Sequence, residues 1–296
     1  MVPQLRGNVE TIIIDSASGL QTRDVLAKIL WENPRLRVHR LPRHGLSLAR
    51  NAATSISNRP WLAFLDDDAV PEPGWVAEIL QLIKRLPPQT GAAGLYTRAL
   101  WPPGADTNLP ELWKEHLSFV ELEGEMNVTH APVLIGANML LYRQAIIEAG
   151  GFPEYLSRQG ELLISGEDVY MVDKMRQLGW SIWYSSRPRA GHRIPRERLE
   201  LAWFRKRMFW QGVTYMRQRV YLDGTMPLML AARSLAIAPI LAGLALIDSQ
   251  RGTRLARAIW HLGIVRAFFM RHALRPPGSA FKSADSSSTH QPRNKN

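Results

Sequence analysis

Two short, largely apolar runs constrain what this chain can fold into: residues 9–14 (VETIII) and residues 61–65 (WLAFL). Each ends in acid, Asp15 after the first and Asp66, Asp67 and Asp68 after the second. Runs this short, without a helical period, read as buried strands. Residues 24–31, 46–56 and about 74–86 repeat apolar side chains at helical spacing, the last after Pro71 and Pro73, since proline suits a first turn. Residues 37–41 and 91–96 supply further strands. The alternation predicts an α/β sheet with parallel strands. Ligands of such sheets bind at the carboxyl ends of the strands, where Asp15 and the aspartate triplet fall.

Three adjacent carboxylates repel one another unless a cation or a set of backbone N–H groups offsets them. Such a corner is suited to holding a divalent metal against phosphate. With no cysteine in 296 residues, any metal would be held by oxygen or imidazole, and no disulfide framework exists. The net charge of +11 suggests a nucleic-acid binder until it is divided along the chain. Residues 1–192 are net −2, whereas residues 193–275 alone are net +11. The basic character therefore lies away from the aspartates, and nucleic acid is not the expected partner.

The middle of the chain is less regular, with a short helix expected near residues 111–119. An apolar strand at 133–142 is interrupted by Gly136-Ala137-Asn138, which suggests close backbone approach. Helices are expected over 143–149 and from Glu167-Asp168 to Leu178, the second closed by Gly179. A last strand at 180–184 leads to His192. Beyond Pro195 come a basic, aromatic-rich helix (198–219), an apolar segment (226–247) whose one charge is Arg233, and a basic amphipathic helix (252–273). The 22-residue apolar segment is long enough to span a bilayer, but Arg233 and Pro239 favour peripheral attachment. The alternative is a buried packing helix. Residues 1–7 run into a strand pattern, so no secretory leader is expected. The organisation is thus a domain over 1–197, a basic helical region over 198–275 and a disordered tail over 276–296.

Taken in order, several segments resemble a family 2 glycosyltransferase with a GT-A fold, a Rossmann-like mixed sheet. They are VETIIIDSAS, GLSLARNAA, FLDDDAVPEPGW, GANMLLYR, GGFPEYL and GEDVYMVDKMRQLGW. The resemblance implies a nucleotide-sugar donor, with Asp15 at the base, Arg50 shaping the donor site, and Asp66 and Asp67 beside the diphosphate. It implies Mg or Mn held by Asp66, Asp68 and His192, and Asp168 as the base that takes the proton of a glycan or lipid-linked acceptor in an inverting transfer. Glu167 would orient the loop or cap the helix. A membrane-bound acceptor would suit a protein at the inner face of the cell membrane. The family has a further strand and helix ahead of the first run, so the sheet is expected to lack one central strand. A catalytically impaired remnant that binds membrane or glycan is the alternative. Plainer readings remain for the single residues: a strand-end turn for Asp15, a helix cap for Glu167-Asp168, a surface charge for Arg50 and a structural histidine for His192.

Overall fold

The computed structural model describes residues 9–129, 136–158, 162–223, 227–246 and 251–270. The first acid-ended run forms β1 (Thr11–Asp15), followed by α1 (Leu20–Glu32), β2 (Leu36–Arg40) and α2 (Leu46–Ile56). Then come β3 (Trp61–Leu65), β4 (Ala69–Pro71), α3 (Trp75–Arg85), β5 (Thr90–Leu100), α4 (Glu111–Lys114) and β6 (Glu125–Asn127). The domain closes with β7 (Asn138–Tyr142), α5 (Arg143–Glu148), α6 (Glu167–Gln177) and β8 (Ser181–Arg193).

The strands form two sheets. β1 pairs in parallel with β2 alone, Asp15 opposite Arg40. The other sheet runs β3-β7-β5-β8-β4, with β6 also on β8. The two sheets share no ladder, so β1 and β3 each have one partner among the described residues and turn open edges toward the same cleft. Parallel pairing, however, holds only for β1–β2 and β5–β8. β7 runs antiparallel between β3 and β5, giving the mixed sheet of the GT-A expectation.

The central strands are buried on both faces, which explains their unbroken apolar sequences. Met139 and Leu141 of β7 pack with Ile146, Phe152, Met171 and Met175 on the side of α5 and α6. Leu140, one residue away, joins Trp75, Val76, Ile79 and Leu82 of α3 on the other face. That alternation is the two-residue period of a strand.

The C-terminal segments are α7 (Leu201–Asp223), α8 (Leu228–Leu244) and α9 (Arg251–Phe269). α7 and α9 cross at two glycines. A Cβ on Gly212 would lie 1.9 Å from the Trp260 carbonyl oxygen, and one on Gly263 2.0 Å from that of Phe209. Phe204 and Met208 of α7 stack into a core with Trp113 of α4, which couples the helices to the α/β domain. The expected helix at 111–119 is confined to Glu111–Lys114, and the strand expected at 180–184 continues to Arg193. The tail and residues 133–135 lie outside the described residues.

Candidate active site

A cleft of about 1790 Å³ opens between the two sheets, with α7 along one wall. β3 brings Asp66 to its rim. The Asp66 N–H donates to the Ala137 carbonyl at 3.2 Å, and its own carbonyl accepts from Ala69 N–H at 3.1 Å. This turn reverses the chain into β4. Antiparallel pairing then sets Ala69 opposite His192, with the Arg193 N–H on the Asp68 carbonyl at 3.0 Å. The register brings His192 Nε2 to 3.3 Å from the Asp68 carboxylate. His192 is buried, and its Nδ1 has no partner among the described residues.

Arg50 reaches this corner from the buried face of α2. Its Nη2 donates to Asp66 Oδ1 at 3.2 Å and its Nη1 to Glu167 Oε1 at 2.8 Å. Gly136 makes room for it, since a Cβ there would lie 2.4 Å from Nη2. The Gly136 N–H donates to Asp168 Oδ2 at 3.2 Å, and Asp168 Oδ1 accepts from Val169 N–H at 2.8 Å. Asp168 is thereby oriented at the start of α6, where the helix dipole favours a carboxylate. Gly166, left-handed at φ +99°, makes the turn, and Gln218 of α7 donates to its carbonyl at 2.8 Å.

The charges are strongly coupled. Burial pushes the Asp66 carboxyl up against the pull of Arg50, and repulsion from Asp68 and Asp67 adds to it. Glu167 is pushed up to about 7 by burial and by its neighbour Asp168, against the opposing pull of Arg50. For Asp68, burial is outweighed by the hydrogen bond and charge of His192, and its carboxyl is held below the usual range. Arg50 is buried, yet the three carboxylates Asp66, Glu167 and Asp168 keep it firmly protonated.

Arg50, Asp66, Asp67, Asp68, Asp168 and His192 all line this cleft. Asp15 is the exception. Its buried carboxylate accepts from the Ser18 N–H at 2.9 Å and pairs with Arg40, a strand-end turn arrangement in which Ser16 and Ser18 face the cleft instead. The Ser18 bonds, followed by the Arg40 interaction, hold Asp15 below the ordinary range despite burial. Among the described residues no three acidic or imidazole side chains converge into a ready cage for a metal. The donor set still suits a hard divalent cation. Asp68 and His192 stand side by side with Asp66 next to them in the chain, and substrate oxygens could complete a shell. Sequence reasoning missed Arg158, Arg198 and Arg207, which also line the cleft. No local pattern marks them, because they come from three separate segments.

The chain matches the family model "Glycosyl transferase family 2" over residues 2–149, half its length. It is 24% identical over 178 residues to the glucosyl-dolichyl phosphate glucuronosyltransferase of Haloferax volcanii, covering 57% of this chain and 54% of that protein. It thus spans about half that relative's length. The succinoglycan biosynthesis protein ExoM of Rhizobium meliloti is 28% identical over 279 residues, 89% of this chain and 84% of that one. In fold it resembles the mannosyltransferase PcManGT of Pyrobaculum calidifontis, solved with GDP-Man and Mn2+. The TM-score is 0.55 at 17% identity, over 88% of this chain and 78% of that one. The matched region contains β1 to β7 and the aspartate corner, and on that match the chain belongs to glycosyl transferase family 2.

Proposed function

We propose that the protein transfers a sugar from a nucleotide-sugar donor to a glycan or lipid-linked acceptor with inversion, Asp168 serving as the base. The observation that carries this reading is one shared cleft. It holds both the Asp68–His192 contact and the Gly136-held Asp168, with Arg50 joining the two through Asp66 and Glu167. Asp168, held by two backbone N–H groups, would accept the hydroxyl proton as that oxygen attacks the anomeric carbon. Arg50 fixes Glu167 so that it does not compete for that role. Asp66, Asp68 and His192 would hold a divalent cation, which would supply countercharge for the leaving diphosphate. Mn2+ accompanying the mannosyltransferase relative is in keeping with this, as is GDP-Man for the donor class. The names of the two relatives point to polyprenyl-linked or polysaccharide acceptors.

Peripheral membrane contact is part of the proposal. No helix among the described residues is long and apolar enough to cross a membrane. α8 nevertheless exposes Met229 (86%), Leu235 (60%) and Ile240 (59%) beside a strongly basic region, a combination that suits the inner face of an anionic bilayer. A second reading, a binding protein without turnover, is favoured by one observation only, the missing ladder between β1 and β3.

The test is hydrolysis or transfer measured over a panel of nucleotide sugars with Mn2+ and with a chelator. Turnover of at least one donor, lost on chelation and restored by Mn2+, is expected. Absence of turnover with every donor, together with absent nucleotide binding, would favour the second reading.

A further inference from the structure

The wall of the cleft facing the aspartates is made by α7, whose residues Trp203, Arg207, Gln211, Tyr215 and Gln218 follow one another at helical spacing along its inner side. Arg207 is tethered by a carbonyl rather than a carboxylate, its Nη1 donating to Leu163 O at 3.0 Å. Its Nε is buried without a partner, as is Gln211 Oε1 one turn further on. Arg158 and Arg198 enter the same cleft from the loop before α6 and from the turn after β8. Among the described residues none of the three has a carboxylate at ion-pair distance. They are close enough to repel one another. Burial holds Arg207 down to about 10, and Arg158 and Arg198 add to that against the pull of Asp168 and Glu167. Arg198 is likewise lowered by burial and by Arg158. Three guanidiniums facing one space without a carboxylate in direct contact favour a bound anion.

We infer that Arg158, Arg198 and Arg207 form a subsite for a phosphate oxyanion carried by the acceptor, with Arg207 on the side of the base and Arg198 next to the carboxylate corner that serves the donor. Guanidinium forks match phosphate oxygens in shape as well as charge. Position decides between acceptor and donor. Arg207 is tied to the Leu163 carbonyl and Gln218 to that of Gly166, on the segment that leads into Asp168. The attractive neighbours of Arg207 are Asp168 and Glu167, whereas those of Arg198 are Asp68, Asp66 and Glu197. Arg207 thus stands on the side of the base, where the attacking hydroxyl must come, and Arg158 is near enough to repel both other arginines. The assignment to the acceptor rests on the glycosyl-transfer reading. It adds that the acceptor is anionic close to the hydroxyl it offers.

The test uses farnesyl phosphate as the probe, farnesol as its uncharged control, and calorimetry on the full chain in saturating UDP and Mn2+. Farnesyl phosphate is expected to bind about tenfold or more tightly than farnesol. Arg158→Gln and Arg207→Gln should each remove about tenfold or more of that affinity while leaving UDP binding within about twofold. Arg158 is exposed, so its replacement leaves the fold intact, and Arg158→Lys should recover part of the loss. Equal affinity for the two probes would overturn the inference. So would arginine variants that lose UDP and keep farnesyl phosphate, since the trio would then serve the donor. If the wild type binds no UDP yet holds farnesyl phosphate through these arginines, the glycosyl-transfer reading falls and the phosphate subsite stands.

Discussion

Arg50 holds two acids at once, and this decides how the cleft responds to pH. Glu167 ionises at about 4.5 in an unfolded chain and at about 7 in the fold, raised by burial and by Asp168. Between those values the unfolded chain has released the proton and the folded one has kept it. Stability therefore falls as pH rises from about 4.5 to 7, by an amount on the order of a few kcal/mol. The raised Asp66 carboxyl acts in the same direction. Thermal melts at pH 5 and pH 8 should show the wild type losing more stability across that interval than Glu167→Gln does. Parallel behaviour would mean that Glu167 titrates as an ordinary surface acid. Metal affinity has its own check at this scale. His192→Ala should weaken Mn2+ binding in the presence of UDP by about tenfold or more, since a fixed imidazole is lost beside Asp68. Unchanged affinity would return His192 to a structural role.

At the scale of elements, the crossing of α7 and α9 depends on the absence of two side chains. Gly212→Ala must push α9 away from a backbone carbonyl at 1.9 Å, which is expected to cost roughly 1–3 kcal/mol or more in thermal unfolding. Gly243→Ala in α8, where a Cβ meets nothing within 4 Å, should be neutral or stabilising by up to ~1 kcal/mol. Equal melting of the two variants would contradict the tight crossing. These glycines were not legible in the sequence, since close approach involves residues about fifty positions apart. The strands were legible, because β3, β5 and β7 are apolar on both faces and end in turn residues. The β4–β8 pairing was not. Val70 and Gly191 oppose each other across 121 positions, and it is this register that brings His192 to Asp68. The Arg50–Glu167 pair, 117 positions apart, was hidden for the same reason. Asp15 was found as a strand-end acid, but its capture by Arg40 required the β1–β2 register.

For the whole molecule, the division of charge read along the sequence is partly undone by folding, because Arg198 and Arg207 of the basic region line the same cleft as the aspartates. The acidic corner lies in the α/β domain, the basic helix α7 lines the same cleft, and α8 turns apolar side chains outward. Co-sedimentation should show binding to anionic vesicles about tenfold or more above neutral ones, weakening as salt rises. Met229→Glu combined with Leu235→Glu should reduce binding at every salt concentration. Equal recovery with neutral and anionic vesicles would remove the charge argument. The central claim is that one cleft binds the donor at the Asp68–His192 contact and performs proton transfer at Asp168. The most direct measurement compares wild type and Asp168→Asn for both donor affinity and sugar transfer in Mn2+. The donor Kd should stay within about twofold while transfer falls by roughly 10²–10⁴. Transfer at the wild-type rate by Asp168→Asn would contradict it.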